Sequence, residues 1–224
     1  IKQSAKPDED INAGKLIIIF DGEKFMKKIL IAGAGGAPSE GVIESLLKSD
    51  QHEEVIGMGA VPTDLIMSKA LRKYLVPYAN EETYKSVLLK VLKKERPDLI
   101  HFQNDLEVFY ASKMRDDIID LGTRVFMPRH EVIETCVSKW KSWEAFKRAG
   151  LKVPENYFIK DDKDLRMAFD ELGNKEGMIW IRAEAMSGGG TGSIQTNDYE
   201  MAHAWINRYH GWGRFIAAEL LTKE

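Results

Sequence analysis

The chain has 224 residues, of which 44% are apolar and 30% charged, and its formal net charge is -3. This length predicts a sizeable core and two domains. Basic and acidic residues are interspersed, which gives no basic footprint for nucleic acid and no charged stripe for a membrane surface, so we expect neither partner.

The first 25 residues predict a leader or the end of an upstream segment. They are polar up to a short apolar run at 16–20, which predicts one strand followed by a turn at Asp21-Gly22. This run is the longest apolar one and is far too short to cross a bilayer. The chain opens with Ile1, so we expect a processed or cut piece of a longer polypeptide.

Residues 26–128 predict an open α/β domain with a parallel sheet, because β-rich runs alternate with helical segments. The predicted elements are strand 28–32, a glycine-rich turn at 33–39, helix 40–48, strand 54–58, helix 81–94, strand 98–102, helix 106–121 and strand 124–127.

Residues 129–224 predict a second domain with a different order of helices and strands. Its predicted elements are helix 137–149, strand 156–160, helix 162–172 capped by Asp161 or Asp162, strands 178–182 and 192–196, helix 198–209 and strand 214–221. We expect this domain to be truncated, because a final apolar strand leaves a sheet edge uncovered. Trp140, Trp143 and Phe146 fall on one helical face and predict core or interdomain packing.

A glycine-rich loop follows the strand that ends in Arg182. The loop comprises Ser187, Gly188, Gly189, Gly190, Thr191, Gly192 and Ser193. Glycines let backbone N–H groups approach an anion, and Arg182 supplies a permanent charge with forked donors. A triphosphate is the ligand this pattern favours, and a surface hairpin with a glycine-rich turn is the alternative.

The turn at 33–36 also lies between a strand and a helix, where a dinucleotide fold binds phosphate. The third glycine of that fingerprint is not at its fixed distance, and no acidic residue ends the second strand at 56–60. A tight turn that brings the strand and the helix into contact is therefore the favoured interpretation.

Asn104, Asp105 and Glu107 follow the strand at 98–102, at the end where open α/β sheets bind ligands. With Gly35 and Gly36 they form a candidate substrate site, although Asp105 as a helix cap is favoured slightly. The five histidines lack the spacing of metal ligands and predict no zinc site. Cys136 is the single cysteine, which excludes an internal disulfide and favours a reducing, cytoplasmic location. We expect this thiol to be a packing residue rather than a nucleophile.

The order of several motifs resembles the ATP-grasp superfamily. The motifs are Ser138-Lys139, residues 149–154, Ile181-Arg182, residues 187–192 and residues 217–221, and the segment 31–38 looks like the opening turn of the preceding domain in that family. The nearest branch is the carbamoyl-phosphate-synthase large-subunit-like proteins, which carry arginine before the glycine loop where many other ATP-grasp enzymes carry lysine. The resemblance covers about residues 26–224.

The resemblance implies an α/β fold in which an open parallel-sheet, Rossmann-like pre-ATP-grasp domain precedes part of an α+β ATP-grasp domain. It implies that Lys139 and Arg182 contact the nucleotide phosphates and that the loop 187–193 folds over them. Glu219, Leu220 and Leu221 would line the adenine pocket. Glu184 departs from the family pattern, since a carboxylate near phosphates is repelled unless it binds metal or points away.

The activity implied is that of an ATP-dependent ligase, in which ATP phosphorylates a carboxylate and an amine-type nucleophile displaces the phosphate. ATP and Mg2+ (or Mn2+) would be the cofactors, small-molecule carboxylates and amines the partners, and a homodimer the assembly. The family's metal ligands would lie beyond Glu224, so we expect none within this chain and no activity from this piece alone. The alternatives are a non-catalytic nucleotide-binding or regulatory module and an NAD(P)-dependent oxidoreductase. The lack of an acidic residue at the end of the second strand counts against the oxidoreductase.

Overall fold

The structure, a computed structural model, describes residues 19–20, 23–24, 27–173, 176–185, 190 and 192–221. The chain splits into two compact units that divide after Met127. Before the first unit's main sheet, β1 (Ile19–Phe20) and β2 (Glu23–Lys24) pair antiparallel.

The first unit is built on a parallel sheet with the strand order β5-β4-β3-β6-β7. These strands are β3 (Lys28–Ala32), β4 (Glu54–Gly59), β5 (Arg72–Leu75), β6 (Leu99–His101) and β7 (Arg124–Val125). The central strands β3 and β4 are buried almost throughout, as expected of parallel strands covered on both faces. The predicted open parallel sheet is confirmed.

Both faces of this sheet carry a hydrophobic cluster, because successive residues of a strand point to opposite sides. Leu30 and Ile56 pack with Leu88 of one cluster, and Ile31 and Val55 pack with residues of the other. The helices of this unit are α1 (Ala37–Leu47), α2 (Pro62–Met67), α3 (Tyr84–Glu95), α4 (Asp105–Ser112) and α5 (Arg115–Asp120).

The helix predicted over 106–121 was wrong in being continuous. The structure has two helices, α4 and α5, with a break at Lys113 and Met114, where Met114 has the non-helical angles φ -117 and ψ 21. Neither glycine nor proline marks this break. Helix α2 and strand β5 were not predicted.

The second unit is built on an antiparallel sheet with the strand order β10-β9-β11-β8. Its strands are β8 (Asn156–Ile159), β9 (Ile179–Ala183), β10 (Ile194–Thr196) and β11 (Phe215–Glu219). Its helices are α6 (His130–Val137), α7 (Lys139–Arg148), α8 (Asp162–Leu172) and α9 (Tyr199–Arg208).

Helices α8 and α9 bury their apolar residues against one face of this sheet. The cluster joins Leu165 and Ile206 of the helices to Ile179, Ile181 and other strand residues. Asp161 caps α8 by accepting a hydrogen bond from the backbone N–H of Asp164 at 3.0 Å, which confirms the first of the two predicted caps. The α+β character predicted for this part of the chain is confirmed.

The helix predicted over 137–149 is interrupted at Ser138. This residue has an extended backbone (φ -97, ψ 116), ends α6 and caps α7. Its extended conformation also lets it form a β-bridge with Ala185. In the part of the chain that the structure describes, no helix is both long and apolar enough to cross a membrane.

Candidate functional site

A cavity of about 410 Å3 lies in the second unit, bordered by α7 and by strands β9, β10 and β11. It collects residues from separate parts of the chain, which is how small-molecule sites are usually built. The described residues that line it are Cys136, Lys139, Ser142, Trp143, Phe146, Val153, Pro154, Asn156, Trp180, Arg182, Gln195, Ala218, Glu219, Leu220 and Leu221.

The alternation of strand β9 places Trp180 and Arg182 at this cavity. Ile179 and Ile181 belong to the core cluster with α8 and α9, so the residues between and after them face the opposite side of the sheet. The antiparallel register pairs Trp180 with Ala218, which also lines the cavity. One strand thus contributes both to the core and to the cavity.

Arg182 is held in the cavity wall without a complete set of hydrogen bonds. Its guanidinium carbon lies 4.6 Å from the centre of the Trp180 ring, a cation–π contact. Its Nε is buried and has no hydrogen-bond partner among the described residues. Burial lowers the pKa of this guanidinium. A buried donor without an acceptor is costly, and a ligand oxygen would supply the missing acceptor.

Lys139 lines the same cavity and is fixed by backbone contacts. It is the first residue of α7, and its N–H donates to the carbonyl of Glu184 at 2.9 Å. The adjacent Ser138 caps the helix by accepting from the N–H of Lys141 at 2.9 Å. The start of α7 is therefore tied to the chain immediately after the strand that carries Arg182.

The carboxylate of Glu184 contacts a serine. It accepts a hydrogen bond from the hydroxyl of Ser138, and the Glu184 N–H donates to the carbonyl of Arg214 at 2.9 Å. Glu184 does not line the cavity. Glu184, the residue that departs from the family pattern, thus holds the start of α7 through its hydrogen bond with Ser138.

The three residues predicted at the end of the last strand, Glu219, Leu220 and Leu221, line the cavity. The Glu219 N–H donates to the carbonyl of Glu155 at 3.0 Å, and Leu221 is 67% exposed. The structure therefore brings these residues together with Lys139 and Arg182.

The predicted glycine loop is described only in part. Ser187, Gly188, Gly189 and Thr191 lie outside the described residues, whereas Gly190, Gly192 and Ser193 lie within them but do not line the cavity.

These three described loop residues are held by local contacts. The Ser193 hydroxyl and N–H both donate to the Gly190 carbonyl, at 2.6 and 3.0 Å. The indole N–H of Trp205 donates to the Gly192 carbonyl at 3.0 Å.

Part of the cavity wall was missed by sequence reasoning. Trp143, whose indole N–H donates to the Pro154 carbonyl at 2.8 Å, and Phe146, which is 51% exposed, line the cavity, which the prediction of core or interdomain packing did not include. Cys136 is exposed and lines it too, which corrects its expected packing role. Trp140 does pack, against Phe158, with ring centres 5.6 Å apart. A helical stripe of apolar residues looks the same whether it covers a core or a cavity.

The turn at 33–36 in the first unit is a tight turn with its donors already occupied. The N–H of Ala34 donates to the Met58 carbonyl at 2.9 Å, that of Gly36 to the Gly33 carbonyl at 3.1 Å, and that of Gly35 to the carboxylate of Glu40 at 2.8 Å. Gly35 has φ +92, and a Cβ there would lie 1.9 Å from the Asp64 carbonyl oxygen, so only glycine fits. The preferred interpretation of this turn is confirmed.

A second cavity, of about 300 Å3, lies beside this turn. Gly36, Asn104 and Glu107 line it, whereas Gly35 and Asp105 do not. Asn104 caps α4 by accepting from the N–H of Glu107 at 2.8 Å, so the prediction of Asp105 as the cap was wrong by one residue. Asp105 is the first residue of the helix and is exposed.

No group of three or more His, Cys, Asp or Glu side chains suited to a metal ion occurs among the described residues. No protein-family model matches the chain, and no curated protein matches it.

Solved structures match the chain with high TM-scores. N5-carboxyaminoimidazole synthetase from Staphylococcus aureus, complexed with ADP, has a TM-score of 0.66 at 16% identity, over 92% of this chain and 50% of that chain. Carboxyaminoimidazole ribonucleotide synthase from Aspergillus clavatus, complexed with ATP, has a TM-score of 0.65 at 14% identity, over 88% and 47%.

This chain has the ATP-grasp fold. The biotin carboxylase domain dimer of Hydrogenobacter thermophilus 2-oxoglutarate carboxylase, in complex with MgADP, ADP and bicarbonate, shares it with a TM-score of 0.61 at 17% identity, over 89% of this chain and 45% of that chain. The chain spans about half the length of these structures. At such identities the likeness establishes the ATP-grasp fold, as the motif order predicted.

Proposed function

We propose that this chain carries the nucleotide site of an ATP-dependent ligase that activates a carboxylate as an acyl phosphate for attack by an amine-type nucleophile. The observation that carries the proposal is the buried Nε of Arg182, which has no acceptor among the described residues and lies in the wall of the same cavity as Lys139. Three of the matching structures were solved with ADP, ATP or MgADP, which supports a nucleotide as the ligand.

The charge of this cavity favours a polyanion. Among the described residues that line it, Lys139 and Arg182 are cationic and Glu219 is anionic. A guanidinium offers forked donors that match two phosphate oxygens, and an ammonium adds a compact charge. The aromatic and aliphatic part of the wall, with Trp143 and Trp180, suits the planar base of the same ligand.

In the proposed reaction, a carboxylate oxygen of the substrate attacks the terminal phosphorus of ATP, and ADP leaves. The amine then attacks the acyl carbon, and inorganic phosphate leaves. Lys139 and Arg182 would hold phosphate oxygens and offset the charge that develops on them. Mg2+ or Mn2+ would enter with the nucleotide and supply positive charge that offsets the charge developing on the phosphates. The glycine-rich loop 187–193 would fold over the phosphates, as the ATP-grasp resemblance implies.

The oxidoreductase alternative is disfavoured by the first unit. A dinucleotide fold binds pyrophosphate with free N–H groups of its glycine turn, whereas here the Gly35 N–H is bound to the carboxylate of Glu40. The carbamoyl-phosphate-synthase-like branch, a homodimer and a cytoplasmic location stay predictions.

Nucleotide binding can be measured through Cys136, the single cysteine, because its exposed thiol lines the cavity. We expect ATP with Mg2+ to slow alkylation of Cys136 by iodoacetamide in a saturable manner. Arg182→Ala should weaken ATP affinity by about 1.5–3 kcal/mol, the value of a hydrogen bond to a charged group, and Arg182→Lys should restore it only in part.

Arg208→Ala is the matched control, because Arg208 is an exposed arginine of α9 that does not line the cavity, and it should bind ATP as the unmodified chain does. Unchanged ATP protection in both Arg182 variants, or protection by NADP in preference to ATP, would refute the proposed site.

Ligase chemistry is separated from a non-catalytic nucleotide-binding module by trapping the acyl phosphate. Hydroxylamine converts an acyl phosphate to a hydroxamate, so ATP-dependent hydroxamate formation across a panel of carboxylates is expected for the ligase. ATP binding without hydroxamate is expected both of a non-catalytic module and of a ligase piece without its metal ligands, so only hydroxamate formation decides between the two by identifying the chain as a ligase.

A further inference from the structure

Strand β5 forms one edge of the parallel sheet in the first unit. It pairs with β4 on one side, and no strand of the described residues pairs with its other side. At its end, the Val76 N–H donates to the Gly59 carbonyl at 3.0 Å. Because alternate residues of a strand direct their backbone groups to opposite sides, those of Lys73 and Leu75 are directed to the open side. Such an edge can accept a further strand.

Apolar side chains surround this open edge. Leu75 shares one face of β5 with Lys73, because the two are two residues apart, and Leu71 lies directly before the strand. The neighbouring helix α2 contributes Ile66 and Met67, and these four apolar side chains are 59–75% exposed. Single exposed apolar residues are ordinary, whereas a group of neighbouring ones marks a surface that contacts a partner. We call these four residues, together with Lys73, the β5 patch.

The positive charge of Lys73 is uncompensated in the β5 patch. Residues 65–78 contain three basic residues and no aspartate or glutamate. Lys69 and Arg72 form ion pairs with glutamates of α1 and α3, at 2.6 and 2.7 Å. Lys73 is exposed, and its ammonium group donates to the Ile66 carbonyl at 3.1 Å, whereas it forms no ion pair with a described residue. The patch therefore combines apolar surface with one free positive charge.

This charge decides which occupant fits the edge. A second copy of the chain would present the same lysine and no carboxylate from β5, so two paired β5 strands would leave both charges uncompensated. A strand with a carboxylate opposite Lys73 would compensate the charge, and apolar residues two positions away would cover Leu71 and Leu75. Antiparallel pairing lets two residues that lie directly opposite exchange both backbone hydrogen bonds.

We propose that β5 binds an extended segment of a partner protein as an additional antiparallel strand, with a glutamate or aspartate opposite Lys73 and an apolar residue two positions away on each side. The proposal concerns the first unit alone and does not depend on the proposed ligase activity.

The experiment titrates the uniformly 15N-labelled chain with the peptide Thr-Val-Thr-Glu-Thr-Val-Thr, blocked at both ends, and follows the backbone amides by two-dimensional NMR. We expect the amides of Lys73 and Leu75 to shift saturably. A peptide with lysine in place of the glutamate should bind about fivefold more weakly, because like charges then lie opposite each other. N-methylation of the glutamate removes the N–H that would donate to the Lys73 carbonyl, so that peptide should give no saturable shift.

Lys73→Glu should reverse the preference, by about fivefold in favour of the lysine peptide. Because Lys73 is exposed, we expect the variant to keep the fold. Lys90→Glu is the matched control, since Lys90 is an exposed residue of α3 outside the β5 patch and its substitution changes the net charge equally. This control should retain the preference of the unmodified chain for the glutamate peptide.

Three results of the titrations would each overturn the proposal. They are the absence of a saturable shift with the glutamate peptide up to about 5 mM, equal affinities for the two peptides, and an unchanged preference in Lys73→Glu. The first is expected if Lys73 serves only to keep other strands from this edge. Shifts of the same amides with protein concentration, before any peptide is added, would identify a second copy as the occupant and would also overturn it.

Discussion

A half-buried arginine and a buried glutamate define the two candidate sites at the scale of single residues. Arg182 lacks an acceptor for Nε among the described residues, and Glu107 is a carboxyl group 6% exposed in a cavity without a cation among its described residues. Each arrangement costs folding free energy that a ligand of opposite charge would offset. Residues that are unfavourable for stability alone are typical of functional sites.

The stability cost of Glu107 should be visible as a pH dependence. Its folded-state pKa of about 7 exceeds the ordinary value of 4.5, so the folded protein binds more protons between these values and loses stability as the pH rises through them. Glu107→Gln removes this loss. Relative to the unmodified chain, we expect the variant to gain about 2–3 kcal/mol of unfolding free energy from pH 5 to pH 8.

Urea unfolding followed by circular dichroism at the two pH values measures this difference, with Glu82→Gln as the charge-matched control. Parallel pH profiles for Glu107→Gln and the unmodified chain would show that Glu107 titrates normally.

At the scale of elements, the start of α7 has a structural role and a proposed binding role. Ser138 accepts from the Lys141 N–H, donates to Glu184 and bridges to Ala185, and Lys139 follows it directly. Helix α7 itself buries none of its residues fully, so its position depends on these terminal contacts more than on a packed face.

Ser138→Ala should therefore weaken both stability and nucleotide binding. Loss of the cap and of the Glu184 contact is expected to lower the unfolding free energy by about 1–2 kcal/mol, and ATP should protect Cys136 less well because Lys139 loses its fixed position. Ser138→Thr keeps a hydroxyl and should restore most of both properties. Urea titration followed by tryptophan fluorescence measures the first effect, and a change below about 0.5 kcal/mol would contradict it.

At the scale of the whole molecule, each unit has core clusters formed from its own residues. The tryptophans all belong to the second unit, so fluorescence reports on that unit while circular dichroism reports on both. They are Trp140, Trp143, Trp180, Trp205 and Trp212.

This distribution permits a matched pair of core substitutions. Leu88 of α3 and Leu165 of α8 are both fully buried, and replacing either by alanine should cost about 2–5 kcal/mol. We expect Leu165→Ala to lower the urea midpoint seen by fluorescence and Leu88→Ala to lower chiefly the midpoint seen by circular dichroism. Equal shifts of both signals in Leu88→Ala would show that the two units unfold as one.

The sequence predicted those helices and strands whose residues follow a single pattern of burial. Strand 28–32 and helix 162–172 have a uniform apolar run or a single apolar face, and both were predicted with the bounds observed. Strand β5 was missed because its edge position leaves it half polar, and α2 because Ile66 and Met67 are exposed and give no amphipathic signal.

The candidate nucleotide site was predicted through motif order rather than through geometry. Lys139 and Arg182 lie more than forty residues apart in sequence, and the resemblance paired them before the structure placed both in one cavity. Trp143 and Cys136 were missed as cavity residues because their patterns are equally compatible with packing. No cation occurs among the described residues that line the first unit's cavity, and this depends on which loops meet there, so no local sequence pattern could predict it.

Strand β9 assigns adjacent residues to different tasks, with Ile179 and Ile181 in the core and Trp180 and Arg182 at the cavity. We therefore expect substitutions at 180 and 182 to alter the proposed ligand preference while leaving the apolar contacts with α8 and α9 intact. A library randomised at these positions together with Gln195, which pairs with Trp180 across the sheet, could be selected for new nucleotide specificities without first being stabilised. Insertion of a single residue within β9 would move residues from one face of the strand to the other, so that the core contacts and the cavity lining would both be lost.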